Sequence, residues 1–251
     1  MTDADPQIVT AAVLVIGDEI LSGRTKDKNI GYIAEYLTAI GIDLREVRVV
    51  PDIDGEIVEA LNALRRRYTY VFTTGGIGPT HDDITADCVA KAFGVPIDHD
   101  PRAVAILKER FTKLGTEMNE ARMRMARIPH GADLVINKVS GAPGFWIGNV
   151  IVMAGVPSIM QAMLDEVAPK LKTGTKMLSE TIRADAREGD IGGQLGEIAK
   201  SHGEVSIGSY PFFDDKNGPN TNIVVRARDA GKLAAAKAAI ETMLLEVRAS
   251  L

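Results

Sequence analysis

An α/β fold on a mainly parallel sheet, followed by a smaller α+β domain, is what this sequence of 251 residues predicts. Three observations predict it. The first two-thirds alternate short apolar runs with segments of helical period, the pattern of repeated βαβ units. After Leu171 the order changes to strand, helix, two strands and helix, which is α+β in character. A composition of 45% hydrophobic and 25% charged residues is that of an ordinary globular chain, and the length suits one large domain with a small companion. The division is expected between residues 1–172 and 173–251.

Val9 to Ile16 is an unbroken apolar run and reads as a buried strand ending at Gly17-Asp18-Glu19. From about Asn29, the residues Ile30, Ile33, Ala34 and Leu37 recur at helical spacing, and Gly41 stops the helix. Ile42 to Val50 is the second strand. Pro51-Asp52 turns the chain into a helix whose apolar stripe is Ile57, Leu61 and Leu64. Tyr68 to Thr74 is the third strand, and a glycine-rich turn leads to a helix carrying Ala86, Val89, Ala90 and Phe93. Two amphipathic helices follow at Arg102–Leu114 and Glu117–Ala126, then short strands at Leu134–Ile136, Gly144–Ile147 and Val150–Ala154. Pro157 opens the next helix, through Met160, Met163 and Val167. In the smaller domain the strands are Lys176–Ala184, Val205–Phe212 and Thr221–Arg228, and the helices Ile191–Lys200 and Ala230–Val247. The turn residues Asp214 to Pro219 predict a hairpin with a long loop.

Several function classes are disfavoured at once. A net charge of −5 gives no general attraction to a polyanion, so extended nucleic-acid binding is not expected. Cys88 is the single cysteine, which allows neither an intrachain disulfide nor a cysteine-rich zinc site and suits a reducing, cytoplasmic setting. The acidic start, Met1 to Pro6, lacks the basic and apolar regions of a secretion signal, and no run nears the roughly 20 apolar residues of a membrane span.

The chemistry is expected where strands run into helices. Between the third strand and the next helix lies Thr73-Thr74-Gly75-Gly76-Ile77-Gly78-Pro79-Thr80-His81-Asp82-Asp83-Ile84-Thr85. Glycines let backbone N–H groups approach an anion, and the helix dipole favours negative charge, so a phosphate or pyrophosphate is the natural occupant. A tight turn with an Asp cap would use the same glycines, but the density of Thr, His and paired Asp exceeds that need. Neither the P-loop nor the dinucleotide fingerprint is present. Asp82 and Asp83 are candidates to hold a divalent cation or a sugar hydroxyl. The second candidate is Gly17 to Arg24 with Asp27 and Asn29 beyond it, the third is Asp52, and the fourth is Met153-Ala154-Gly155-Val156-Pro157-Ser158. Asp52 alone suits a turn or helix cap. Four such loops at corresponding strand ends converge into one composite site. His81 suits an acid, a metal ligand or an exposed loop residue; His99, His130 and His202 lack ligand spacing and are read as structural, and Trp146 as core. Arg122, Arg124 and Arg127 suit either a basic edge of the pocket or a solvated helix face, and are read as the solvated face.

These four segments resemble the MoaB/Mog-type molybdopterin-binding domain over about residues 8–172. The spelling Thr-Gly-Gly-Ile-Gly-Pro-Thr-His-Asp-Asp-Ile-Thr, with Gly-Asp-Glu-Ile-Leu-Ser-Gly, is similar to the competence/damage-inducible protein A branch. Residues 173–251 resemble the small domain that follows it there. The resemblance implies a three-layer αβα sandwich, binding of molybdopterin or an adenylyl-pterin, and a homo-oligomer, dimer or trimer. It also implies a metal-dependent pyrophosphatase activity on ADP-ribose or a similar dinucleotide. Asp18, Asp52 and Asp83 stand where the family places functional aspartates, and Asn29 matches an Asp-x-Asn element in which Lys28 replaces a usual Thr. Gly155 and Pro157 match a Pro-Gly-x-Pro turn whose first proline is Ala154 here. No nicotinamide mononucleotide deamidase activity is expected, because the amidohydrolase domain of longer members has no counterpart in these residues.

The leading expectation is hydrolysis of a nucleotide pyrophosphate with Mg, Mn or Co. Asp83, Asp18, Glu19 and Asp52 form the catalytic set, and Asp82 and Asp83 recruit the metal. Thr74, Gly75, Gly76, Gly78, Pro79, Thr80, Asn29, Gly155 and Pro157 hold the phosphates and the rest of the ligand. The alternatives are adenylyl transfer to molybdopterin and a non-catalytic pterin- or nucleotide-binding module.

Overall fold

In the computed structural model, which describes residues 7–216 and 218–250, the chain divides into two compact units. The first runs from Ile8 to Gly174; Gln7 belongs with the second, which starts at Thr175. In chain order the first unit contains β1 (Val9–Ile16), α1 (Asp18–Leu21), α2 (Asn29–Ala39), β2 (Ile42–Val50), α3 (Asp54–Arg67), β3 (Tyr70–Thr74) and α4 (Thr85–Phe93). Then come β4 (Ile97–His99), α5 (Pro101–Lys113), α6 (Glu120–Arg124), β5 (Arg127–Pro129), β6 (Asp133–Val135), β7 (Gly144–Ile147), β8 (Val150–Met153) and α7 (Pro157–Val167).

The main sheet has the order β2-β1-β3-β8-β7-β6, in which β2, β1, β3 and β8 pair parallel, β7 pairs antiparallel with β8 and β6 pairs antiparallel with β7. Successive residues of a strand point to opposite faces, so the continuous apolar run of β1 feeds two cores. Ala12, Leu14 and Ile16 meet α3 and α4 through Ile57, Leu61, Cys88 and Val89 on one face. Val9, Ala11, Val13 and Val15 meet α2 and α7 through Ile33, Leu37, Met160 and Leu164 on the other. Helices on both faces of a mostly parallel sheet make a three-layer αβα sandwich.

The second unit contains β9 (Leu178–Arg183), α8 (Glu188–Ser201), β10 (Ser206–Asp214), β11 (Gly218–Ala227) and α9 (Ala230–Ser250). Its strands form an antiparallel sheet of order β10-β11-β9, and Ile223 and Val225 pack with Ile191, Leu195, Leu233, Ala236 and Ile240. No helix among the described residues is long and apolar enough to cross a membrane.

The structure departs from expectation at four places. The helix expected over Glu117–Ala126 shrinks to α6, because the Asn119 side chain caps it by accepting from Arg122 N at 2.9 Å. The residues flanking α5 and α6 form an unforeseen antiparallel pair, β4 with β5. The candidate loop Gly17 to Arg24 opens with the single helical turn α1. The hairpin loop is short, because pairing continues to Asp214 opposite Gly218. Trp146 is half-buried at the edge of Tyr70, its Nε1 donating to Gly148 O at 2.8 Å. His99 and His130 are exposed, and His202 ends α8 with Nδ1 3.0 Å from Ile198 O.

Candidate functional site

From β1 the chain moves outward to β2 on one side and then crosses to β3 on the other, so the strand order reverses between β1 and β3. Ligands of open α/β sheets bind at the carboxyl ends of the strands beside such a reversal. The glycine loop after β3, the loop after β1 and the loop after β8 all emerge there. Back-to-back glycines let them approach: a Cβ on Gly155 would lie 3.3 Å from Gly75 Cα, and one on Gly75, whose φ is +102°, would lie 2.1 Å from Ile16 O.

The glycine loop is tied at both ends. Gly75 N–H donates to Met153 O at 3.2 Å, and Thr85, fully buried, donates its hydroxyl to Gly75 O and its N–H to Gly76 O, both at 3.0 Å. A Cβ on Gly76 would fall 2.1 Å from that hydroxyl oxygen. Further along, Asp83 Oδ2 accepts from Thr80 N at 2.8 Å and from Thr80 Oγ1 at 2.6 Å, closing the loop over Gly78. Pro79 and Thr80 are exposed, as are His81 and Asp82, whose side chains face each other at 3.9 Å.

Arg124 was read as part of a solvated helix face, and the structure corrects this. Its Nε donates to Thr80 O at 3.1 Å and its Nη2 to Asp83 O at 3.2 Å, so α6 grips the loop from outside. Arg127 makes a two-point ion pair with Asp87 of α4 at 2.6 and 2.8 Å. Arg122 stacks over Phe111, its guanidinium carbon 4.7 Å from the ring centre. Sequence reasoning missed Arg124 because α6 lies about 40 residues beyond the loop; the one available signal was the cluster of three arginines.

At the ends of β1 and β2, Asp52 Oδ2 accepts from Asp18 N at 3.0 Å, and Gly17 N–H donates to Val50 O at 3.1 Å. Burial, reinforced by the like charges of Asp18, Glu19 and Asp82, pushes the Asp52 carboxyl above its ordinary value, while the Asp18 N–H pulls the other way. Carboxylates from three loops therefore sense one another. Among the described residues no three His, Cys, Asp or Glu side chains stand together as a ready-made metal site. The donor set nonetheless fits a hard cation that is held by one or two carboxylates and otherwise by phosphate oxygens and water, as Mg²⁺ commonly is. The Cys88 thiol, pushed up to about 12 chiefly by burial, is protonated and offers no nucleophile.

Beneath the loops lies a pocket of about 220 Å³, lined by Ile16, Glu19, Asn29, Thr74, Gly75, Gly155 and Pro157 among others. Asn29 Nδ2 donates to Gly155 O at 2.8 Å, linking the loops after β1 and β8. The loop after β8 is further held where Ala154 N–H meets Met163 Sδ at 3.3 Å. Asp27 Oδ1 accepts from Asn29 N and Ile30 N at 3.0 and 2.8 Å and so caps α2.

Residues 12–173 match a family model described as a probable molybdopterin binding domain, and residues 176–249 match one described as the middle domain of FAD synthase. A protein of Caldivirga maquilingensis is 39% identical over 224 residues, spanning 86% of this chain and 87% of that protein. One of Archaeoglobus fulgidus is 32% identical over 201 residues, spanning 79% and 84%. Among solved structures, the protein CinA of unknown function from Thermoplasma acidophilum superposes with a TM-score of 0.60 at 34% identity, covering 65% of this chain and 98% of that one.

Proposed function

The chain belongs to the probable molybdopterin binding domain family, and from that premise we propose that it binds a phosphorylated pterin or nucleotide and hydrolyses the pyrophosphate of a dinucleotide such as ADP-ribose. The observation that carries the hydrolytic reading is Asp52, which joins the ends of β1 and β2 by accepting from Asp18 N and whose carboxyl is raised by burial and by the charges of Asp18, Glu19 and Asp82. A carboxylate raised toward working pH is better suited to taking a proton from water than an ordinary one.

Asp18, Glu19 and Asp82 would supply oxygen ligands to a divalent cation, which when bound would neutralise negative charge on the phosphoryl oxygens. The glycine loop positions the phosphates: the N–H groups of Gly75, Thr80, Asp83 and Thr85 are used within the fold, and those of Gly76, Ile77 and Gly78 are the candidates for the anion. Asp83 acts by keeping Thr80 and the loop in shape. Asp52 accepts the proton as the water oxygen bonds to phosphorus and the bridging P–O bond breaks, giving AMP and ribose 5-phosphate from ADP-ribose. A homo-oligomer belongs to the same proposal and is read by sedimentation.

The test is incubation of the full chain with ADP-ribose, FAD, and ATP plus molybdopterin, each with Mg, Mn or Co, and product analysis by mass. Free AMP from ADP-ribose or FAD is the expected result. An adenylylated pterin with released pyrophosphate would replace hydrolysis by adenylyl transfer. Binding without any product would leave a binding module.

A further inference from the structure

Two cations stand without a partner in the lining of the pocket beneath Gly75 and Gly155. Lys26 and Lys28 are both exposed, and neither makes an ion pair or a side-chain hydrogen bond with any described residue. The carboxylates nearest to them in the lining are engaged elsewhere. Asp27 Oδ1 accepts from Asn29 N and Ile30 N at 3.0 and 2.8 Å, and the Glu19 carboxylate lies against Gly17, where a Cβ would meet its Oε2 at 2.5 Å.

Their position sharpens the point. Lys28 immediately precedes the first turn of α2, with Lys26 two residues before it, and the helix dipole opposes a cation at that end. Nothing in the fold offsets this opposition, whereas an anion held between the lysines and the helix would be favoured by both. Lys28 replaces the threonine of the Asp-x-Asn element, so its charge belongs to this chain rather than to the pattern it resembles.

The lysines also stand apart from the glycine-loop N–H groups. Gly76, Ile77 and Gly78 line a separate small space with Arg124, and the two pockets have no lining residue in common. A ligand spanning both therefore meets positive groups at two places. Within the larger pocket no other lining residue is cationic, and the buried Asn29 Oδ1, left without a partner while Nδ2 faces Gly155 O at 2.8 Å, is an acceptor. An anion belongs with the lysines at the exposed end. A phosphomonoester, carrying a charge of about −1.5 to −2 at neutral pH, matches two lysines better than a singly charged carboxylate does.

We propose that Lys26 and Lys28 form a second anion subsite, and that the preferred ligand carries a phosphomonoester in addition to the phosphates held by the glycine loop. The proposal rests on the reading of the site as a binder of a phosphorylated pterin or nucleotide and names the substrate class within it.

The experiment is calorimetric titration of the full chain with two matched pairs whose members differ by one phosphomonoester: ADP-ribose against ADP-ribose 2′-phosphate, and dephospho-coenzyme A against coenzyme A. The expected result is about tenfold tighter binding of the phosphorylated member in at least one pair, a preference that shrinks as salt is raised because the lysines are exposed. In the double variant Lys26→Gln, Lys28→Thr the two members should bind within about twofold of each other, with the unphosphorylated member bound as by the parent. Lys26→Arg with Lys28→Arg should keep the preference. A preference in one pair alone assigns the 2′ or the 3′ position, and either supports the subsite. Equal binding of both members of each pair by the parent, or a double variant that keeps the preference or weakens both members equally, overturns the inference while binding of ADP-ribose leaves the wider function standing. Failure of the parent protein to bind any of the four probes removes both.

Discussion

Thr85 connects the stability of the sandwich to the shape of the glycine loop, and its hydroxyl is the atom to remove. It is fully buried and donates to Gly75 O at 3.0 Å, and Gly75 is itself buried. Thr85→Val keeps the volume and deletes the donor, so a buried carbonyl loses this partner at a cost of about 1–3 kcal/mol. For a cooperative unit of this size, about 2 kcal/mol corresponds to a fall in melting temperature of roughly 4–8 °C. Trp146 is the single tryptophan and lies in the unit Ile8–Gly174, so its fluorescence during urea unfolding reports that unit alone. The expected change is a lower midpoint with an unchanged slope, since the surface exposed on unfolding is the same. Turnover should fall further than stability, because Gly75 and Gly76 lose their anchor. Thr85→Ser, which keeps the hydroxyl and loses a methyl group, should cost about 1 kcal/mol and retain activity. A Thr85→Val protein with the parent midpoint and parent turnover would refute the claim that this bond holds the loop.

Asp52 gives a pH prediction with a definite sign. Its folded-state pKa is raised, so the folded protein binds the proton more tightly than the unfolded chain, and stability falls as pH rises from the ordinary aspartate value through the raised one. Asp52→Asn keeps an acceptor for Asp18 N–H; melting curves across pH should show it more stable than the parent at neutral pH, flat through that window, and inactive. Arg124→Ala should lower turnover more than tenfold while the melting temperature moves by about 4 °C or less, because the residue grips two loop carbonyls from the half-buried edge of α6; parent-level kinetics would remove its positioning role. Gly75→Ala should cost more than about 2 kcal/mol in the same Trp146 assay, since left-handed backbone alone disfavours a side chain by about 1–2 kcal/mol and the added Cβ meets Ile16 O. Gly155→Ala, whose Cβ would only touch Gly75 Cα at 3.3 Å, should be milder, and equal losses would contradict the geometry.

What could be read from the sequence, and what could not, follows from the range of the interactions involved. β1 was legible because a strand covered on both faces must be apolar at every position, and the stripe Ile57, Leu61, Leu64 because a helix against a sheet needs one apolar face. The three-residue strands β4 and β5 carry too few positions to show a period, and the α6 pattern overran because a single cap, Asn119, decides where helix begins. The glycine loop stood out through local chemistry, since positive φ at Gly75 and Gly76 is a property of the residue itself. The division of labour within the site is non-local. Whether an arginine is solvated or grips a loop depends on what the fold sets beside it, and only the fold sets Arg124 against Thr80 and Asp83. The same holds for Asn29: its spacing marks a site residue, but its character as a bare acceptor exists only because Gly155, 126 positions away, occupies the other half of the amide. Residue type states which interactions a side chain is able to make; the fold removes some of them, and the remainder is what a ligand meets.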